Sequence, residues 1–280
     1  MMEQMRVGFV GMGNMGAPMA QRIIDGGFPT TLWARRSSTL DPFVSGPASV
    51  ADDVRTLGQA SDLVGVCVRD DAAVEDVVLA GGLLESMRPD SILAVHSTVH
   101  PDLCRRLGAL AADRGVHVVD APVSGGARQA ELGNLAVMVG GDRAVFERCQ
   151  PVFDTFGGLV RLLGTLGAGQ LAKLVNNTVF TVHSMVAGQA FELGGALGLD
   201  VETLFDVLHA GSAQSFAMDI YVQRGIPLEA WSREPGAQLL QKDVGLTTDV
   251  AGELEAGRLL LGTAAASLDH MGLPIRRPKS

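Results

Sequence analysis

Lys173, Asn176 and Asn177 lie at i, i+3 and i+4, so a helix through them presents all three on one face. Their neighbours Leu171, Ala172, Leu174, Val175 and Val179 are apolar. A lysine in such surroundings has its pKa lowered and can take a proton from an alcohol or give one to a carbonyl near neutral pH. Asn177 is placed to hold that lysine or a substrate hydroxyl. A second constellation is Ser124-Gly125-Gly126, just after an apolar run. Exposed backbone N–H groups and a hydroxyl at a strand end make a cradle for a carboxylate, and the glycines let a small substrate come close. Ser124 lacks a Gly-x-Ser-x-Gly elbow, so it reads as a binding group and not as a nucleophile. Lys173, Asn177 and Ser124 are the catalytic candidates; Ser124, Gly125, Gly126 and Asn177 are the substrate-binding ones.

A third constellation opens the chain. Val7 to Pro18 reads Val-Gly-Phe-Val-Gly-Met-Gly-Asn-Met-Gly-Ala-Pro. A strand over Arg6–Val10 meets Gly11-x-Gly13-x-x-Gly16, and a helical pattern follows. In that context the glycines form a dinucleotide fingerprint: a tight turn, a close approach to pyrophosphate, and close helix–strand packing. Gly11, Met12, Gly13, Asn14 and Met15 are the expected cofactor-binding residues. An acid for the ribose hydroxyls is expected at the end of the second strand. That strand ends Leu32-Trp33-Ala34-Arg35-Arg36, with two arginines and no acid. Guanidinium groups suit a 2′-phosphate, so the expected cofactor is NADP, with NAD as the second choice.

The elements that must position these groups fall into two textures. Strand-like runs at Arg6–Val10, Thr30–Trp33, Leu63–Val68, Ser91–His96, His117–Asp120, Leu135–Val139 and Leu159–Leu163 alternate with helical patterns such as Ala17–Asp25, Ala72–Leu79 and Pro101–Arg114. Alternation of this kind predicts a parallel, doubly wound α/β Rossmann-type sheet with helices on both faces. From about Ala168 only helical patterns follow: Gln170–Leu197, Val201–Ala210, Ala237–Leu254 and Leu259–Met271. The expected organisation is a dinucleotide-binding domain over residues 1–165 and an all-α domain over residues 166–280.

Composition narrows the function classes. The net charge of −9 argues against nucleic-acid binding. Three scattered cysteines suggest neither a disulfide framework nor a zinc site. His96 and His100 straddle a strand end before Pro101, which does not give the geometry of a metal pair, so no metal is expected. Val175–Phe191 carries no formal charge but holds Asn176, Asn177, Thr178, Thr181, Ser184 and Gln189, so it reads as a buried helix and not as a membrane span. With no targeting pattern at the start, the expected compartment is the cytoplasm.

Taken in order along the chain, four motifs resemble those of the β-hydroxyacid dehydrogenase family, which includes 3-hydroxyisobutyrate dehydrogenase, tartronate semialdehyde reductase and the glyoxylate/succinic semialdehyde reductases. They are Gly11-Met-Gly-Asn-Met-Gly-Ala-Pro-Met19-Ala20, Asp120-Ala-Pro-Val-Ser-Gly-Gly126 continuing to Gly141, Gly167-x-Gly169-x-x-x-Lys173-x-x-Asn176-Asn177, and Lys242-Asp243. The resemblance implies hydride transfer between a nicotinamide and a small carboxylate-bearing hydroxyacid or semialdehyde, with Lys173 as acid/base. It places Thr98 of Ser97-Thr98 near the nicotinamide, Lys242 over the cofactor and Val68 beside its adenosine half. It also implies a homodimer or homotetramer built through the helical domain. Two departures stand out. Val68-Arg69-Asp70-Asp71 replaces a Leu-Pro turn of many relatives, and Pro235 stands where hydroxyacid-reducing relatives often carry a phenylalanine. Imine reduction on the same fold and a non-catalytic dinucleotide-binding scaffold are the alternative readings.

Overall fold

The computed structural model describes residues 4–224, 235–252 and 254–275. The chain forms two compact units, Met1–Lys173 and Leu174–Ser280.

In the first unit strands and helices alternate. They run β1 (Val7–Val10), α1 (Gly16–Asp25), β2 (Thr30–Trp33), a 3-10 turn (Ser37–Phe43), β3 (Ser49–Val50), α2 (Val54–Ala60) and β4 (Leu63–Val66). Next come α3 (Asp71–Glu75) with a π turn (Asp76–Ala80), α4 (Leu83–Ser86), β5 (Ile92–Val95), α5 (Pro101–Ala112) and β6 (His117–Asp120). Then follow β7 (Val123–Ser124), α6 (Gly126–Glu131), β8 (Leu135–Gly140), α7 (Arg143–Phe153) and β9 (Gly157–Gly164). The strands form one sheet in the order β3-β2-β1-β4-β5-β6-β8-β7, with β9 on β8.

From β3 to β6 every neighbour is parallel. The expectation of a parallel sheet fails beyond β6. There β8 meets β6 antiparallel at Asp120 and Gly140, β7 is antiparallel to β8, and β9 is parallel to it. The six residues of α6 are too few to carry the chain back along the sheet, so β8 returns in the opposite sense.

Both faces of the central parallel strands β1, β4 and β5 are buried, which is why they read as continuous apolar runs. One core cluster joins Val7, Phe9, Leu63, Ile92 and Val119 to Met19 and Ile23 of α1 and Phe153 of α7. The other joins Val10, Val64, Val66, Leu93 and Val95 to Leu57 of α2 and Leu107 of α5. Successive residues of β5 alternate between the two clusters, as the pleat requires.

Helix α8 (Ala168–Ala196) begins in the first unit and continues into the second, which adds α9 (Val201–Ala210), α10 (Phe216–Arg224), α11 (Pro235–Ala251) and α12 (Arg258–His270). Among the described residues no strand follows Gly164. The reading of Val175–Phe191 as a buried helix holds for one face only. Val175 and Val186 are more than half exposed, whereas Asn177, Thr178, Thr181 and Ser184 are buried. The three hydroxyls return hydrogen bonds to carbonyls one turn back, at Leu174, Asn177 and Phe180. A satisfied hydroxyl can be buried, so the inward stripe of α8 is small and polar. Two apolar clusters flank it. Phe180 packs against Leu240, Val244 and Leu268, and Phe191 lies with Met218 and Phe205. Among the described residues no helix is long and apolar enough to cross a membrane.

Candidate active site

The strand order sorts the predicted residues along one edge of the sheet. At the C-terminal ends of β2, β1, β4 and β5 stand, in turn, Arg35 and Arg36, the Gly11–Met15 loop, Val68, and Thr98. Beyond β6 come Ser124, Gly125 and Gly126. Chain order reverses at β1, whose neighbours are β2 and β4. Such a switch point opens the crevice in which ligands bind.

The three fingerprint glycines have different tasks. Gly11 has φ +99°, and a Cβ there would fall on the carbonyl of Cys67. A Cβ on Gly16 would fall on the carbonyl of Gly11, so α1 can lie this close to β1 only without a side chain. A Cβ on Gly13 would meet nothing within 4 Å. The protein therefore does not need glycine at position 13, but a pyrophosphate approaching the backbone does. No side chain caps α1 at Met15; the Ala17 N–H donates to the Gly13 carbonyl at 3.0 Å and Pro18 has no N–H, so what α1 offers a phosphate is the positive end of its dipole at Met15 and Gly16. Met12 is buried and Asn14 exposed. These residues fit a dinucleotide.

Arg35 and Arg36 are exposed, and neither makes an ion pair among the described residues. The Arg36 carbonyl accepts from the Thr39 N–H at 3.1 Å and hydroxyl at 2.7 Å, which fixes the backbone at the end of β2. The acidic turn that departs from the Leu-Pro pattern has structural work. Asp70 caps α3 through the Ala73 N–H, and Asp71 accepts from the His100 N–H at 2.8 Å. The Val68 N–H donates to Ser97 Oγ at 2.8 Å, which ties the turn after β4 to the turn after β5.

Ser124 is itself a strand residue, paired with Ala136 of β8 and half-buried. Gly125 and Gly126 follow with φ +134° and +77°, a bend that strongly favours glycine, and a Cβ on Gly126 would meet open space. Lys173 is buried at 9% exposure.

Two residues without an assigned role in the sequence reading organise this end of the first unit. Asp120 is fully buried at the end of β6, with Oδ1 accepting from the Gly167 N–H at 2.6 Å and Oδ2 from the Gln170 N–H at 2.7 Å. A carboxylate thus caps α8 from another element and complements its dipole. Burial pushes the Asp120 pKa up to about 6, against the lowering effect of those hydrogen bonds. Gln170 is also fully buried. The available signal was position: Asp120 opens the Ser-Gly-Gly motif, and Gln170 stands between the motif glycines and Lys173.

In the second unit Asn177, buried on α8, donates Nδ2 to Asp243 Oδ2 of α11. Its Oδ1 accepts from Asn176 Nδ2 at 3.0 Å. Lys242 Nζ lies 2.8 Å from Asp243 Oδ1, an ion pair by distance without hydrogen-bond alignment. Next to this network the Thr178 and Thr247 hydroxyls lie within hydrogen-bond distance, 3.0 Å apart.

His96 and His100 are structural. His96 donates Nδ1–H to the Ala121 carbonyl at 2.8 Å and packs among Phe9, Phe153 and Phe156. Burial lowers its pKa to about 4, so it is neutral at pH 7. His100 caps α5 through the Asp102 N–H. Among the described residues no three histidine, cysteine or carboxylate side chains gather as a metal site.

Comparison with known proteins agrees with this arrangement over both units. The family model for the NAD-binding domain of 6-phosphogluconate dehydrogenase matches residues 6–166. The model for the NAD-binding domain of NADP-dependent 3-hydroxyisobutyrate dehydrogenase matches residues 167–272. An NAD-dependent L-serine dehydrogenase of Pseudomonas aeruginosa is 33% identical over 270 residues, covering 94% of this chain and 90% of that one. The human mitochondrial 3-hydroxyisobutyrate dehydrogenase is 32% identical, covering 95% of this chain and 81% of that one. Among solved structures, a Mycobacterium tuberculosis 3-hydroxyisobutyrate dehydrogenase with L-serine superposes with a TM-score of 0.80 at 28% identity, covering 98% of this chain and 97% of that one.

Proposed function

The chain belongs to the β-hydroxyacid dehydrogenase family and is an NAD(P)-dependent oxidoreductase of the 3-hydroxyisobutyrate dehydrogenase type, and on that premise we propose that it interconverts a small 3-hydroxy carboxylate and the matching semialdehyde, with NADP preferred. L-Serine and 3-hydroxyisobutyrate, named for its relatives, share a carboxylate and a hydroxymethyl group two bonds apart. The observation that carries the reading is Lys173, buried in the helix whose first turn is held by Asp120 at the head of the Ser124 loop.

In this reading the bound nicotinamide supplies or accepts the hydride. Ser124 and the N–H groups of Gly125 and Gly126 hold the substrate carboxylate. Neutral Lys173 removes the hydroxyl proton during oxidation, and its ammonium form returns that proton to the carbonyl oxygen during reduction. Asn177, oriented by Asp243, holds the reacting oxygen. Thr98 and Lys242 contact the nicotinamide side, and Gly11, Met12, Gly13, Asn14, Met15 and Val68 hold the rest of the dinucleotide. Arg35 and Arg36, exposed and without an ion pair among the described residues, support the NADP preference. We assign dinucleotide binding to residues 1–165 and substrate binding with assembly to residues 166–280.

A homodimer or homotetramer is supported by Leu193, Leu197, Leu199, Val201 and Val207, all exposed in the second unit. Light scattering at micromolar concentration tests it; a monomer would overturn it. Three free cysteines suit the cytoplasm.

The activity is tested by incubating the full chain with NADP or NAD and a panel of L-serine, 3-hydroxyisobutyrate and the corresponding semialdehydes, with cyclic imines alongside. Turnover of a carboxylated substrate supports the reading. Turnover of imines alone would replace it.

A further inference from the structure

The Gln170 side chain spans two elements. Nε2 donates to the Ser97 carbonyl at 2.8 Å, and Oε1 accepts from the Val99 N–H at 3.1 Å. These two backbone groups flank Thr98. A primary amide offers a donor and an acceptor side by side, so Gln170 pairs with the Ser97–Val99 backbone much as a neighbouring strand would. Its own backbone N–H is held by Asp120, and Ser97 Oγ in turn accepts from Val68. Two fully buried side chains therefore join three segments: the turn after β5, the head of the Ser124 loop, and the first turn of α8. All of these groups belong to the first unit, as does Lys173, three residues beyond Gln170 on the same helix.

We propose that Gln170 is a positioning residue that sets Lys173 in register with Thr98, and so fixes the acid/base against the nicotinamide edge. The proposal rests on the reading of Lys173 as acid/base and of Thr98 as a nicotinamide contact. Geometry of this kind governs rate more than binding, because the loss comes in the alignment of reacting groups and not in contacts to either ligand.

The test uses Gln170→Met, Gln170→Glu and Lys173→Ala in the full chain, with NADP and 3-hydroxyisobutyrate or L-serine as probes. Methionine keeps the volume of glutamine and loses both hydrogen bonds. Glutamate keeps the acceptor, but only its protonated form can donate to the Ser97 carbonyl. The Asp120 carboxylate and the Cys104 thiol stand beside it, and burial favours the neutral acid.

Gln170→Met is expected to lower kcat about 30- to 100-fold. KM for the acid and NADP affinity should stay within about threefold, and the isotope effect with substrate deuterated at the hydroxymethyl carbon should rise as chemistry becomes limiting. Gln170→Glu is expected to be impaired at pH 8 and to recover relative to wild type as the pH falls to 6. Wild-type kcat in Gln170→Met would overturn the proposal. So would a flat activity ratio across pH in Gln170→Glu, which carries the test if the methionine variant does not fold. Undiminished turnover in Lys173→Ala would instead overturn the acid/base reading on which the proposal stands.

Discussion

Asn177 and Asp243 are joined side chain to side chain, Nδ2 to Oδ2 at 2.5 Å, in the seam where α8 meets α11. Asp243 is 3% exposed, and its second oxygen lies beside the Lys242 ammonium. The amide of Asn177 is therefore not free to turn. One N–H of the amide is held by Asp243 and its oxygen accepts from Asn176, which in the proposed reading leaves the second N–H for the reacting oxygen.

Replacing Asp243 by asparagine removes the charge from that bond while keeping its size. A hydrogen bond to a charged partner contributes about 1.5–3 kcal/mol, which corresponds to a fall in kcat of roughly 10- to 100-fold if the bond serves orientation in the transition state. Steady-state kinetics with saturating NADP measure it. Unchanged kcat would mean that the bond serves only the packing of α8 on α11.

Gly13 and Gly16 separate cofactor contact from fold. Gly16→Ala places a methyl group on the Gly11 carbonyl, so its thermal midpoint should fall. Gly13→Ala meets no protein atom and should melt as wild type does, while NADP affinity measured by calorimetry weakens at least about tenfold, the factor that 1.4 kcal/mol represents. Wild-type affinity in Gly13→Ala would remove the dinucleotide from this loop.

In the proposed reading Arg35 and Arg36, exposed and without an ion pair among the described residues, grip a 2′-phosphate. The double substitution Arg35→Ala with Arg36→Ala should lower kcat/KM with NADP by about 100-fold, the loss of about two charge-assisted contacts of 1.5 kcal/mol each. With NAD the value should change less than threefold. Equal loss with both cofactors would place the arginines elsewhere in the mechanism.

His96 makes stability depend on pH. Its folded pKa of about 4 lies below the unfolded value of 6.5. Above pH 6.5 neither state binds the proton. As the pH falls from 6.5 towards 4, the unfolded chain takes up a proton that the folded core refuses, so stability declines. Asp120 acts in the opposite sense, since its folded pKa of about 6 is raised above 3.8 and its protonation favours the folded state over pH 6 to 3.8. Urea unfolding at pH 7 and pH 5 should therefore show a smaller decline in His96→Phe than in wild type. An equal decline would mean that the ring titrates normally.

Much of this arrangement was legible in the chain. β2 and β6 end where their apolar runs end, and Val201–Ala210 is helical over the span its pattern predicts. Such elements are set by local periodicity. The antiparallel return of β8 was not legible, because a run such as Leu135–Val139 reads the same in either direction. Nor was the burial of Asn177, Thr178, Thr181 and Ser184, which depends on hydroxyls closing back on their own helix. For the proposed site, spacing alone singles out Gly11 to Gly16 and Lys173. Gln170 was not, because a lone amide gains its meaning only from Ser97 and Val99, some seventy positions away. The side chain of Pro235, which stands where relatives often carry a phenylalanine, lies outside the described residues.

In the proposed mechanism Lys173 moves the proton. The direct measurement is the rate of NADP reduction with a 3-hydroxy acid in Lys173→Ala, with NADP affinity determined on the same sample and a small alkylamine added in a parallel series. A positioned acid or base contributes about 10²–10⁴-fold to rate. With Lys173 as the acid/base, kcat falls by that factor, cofactor binding is retained, and added amine restores part of the rate. A kcat within threefold of wild type would contradict that role.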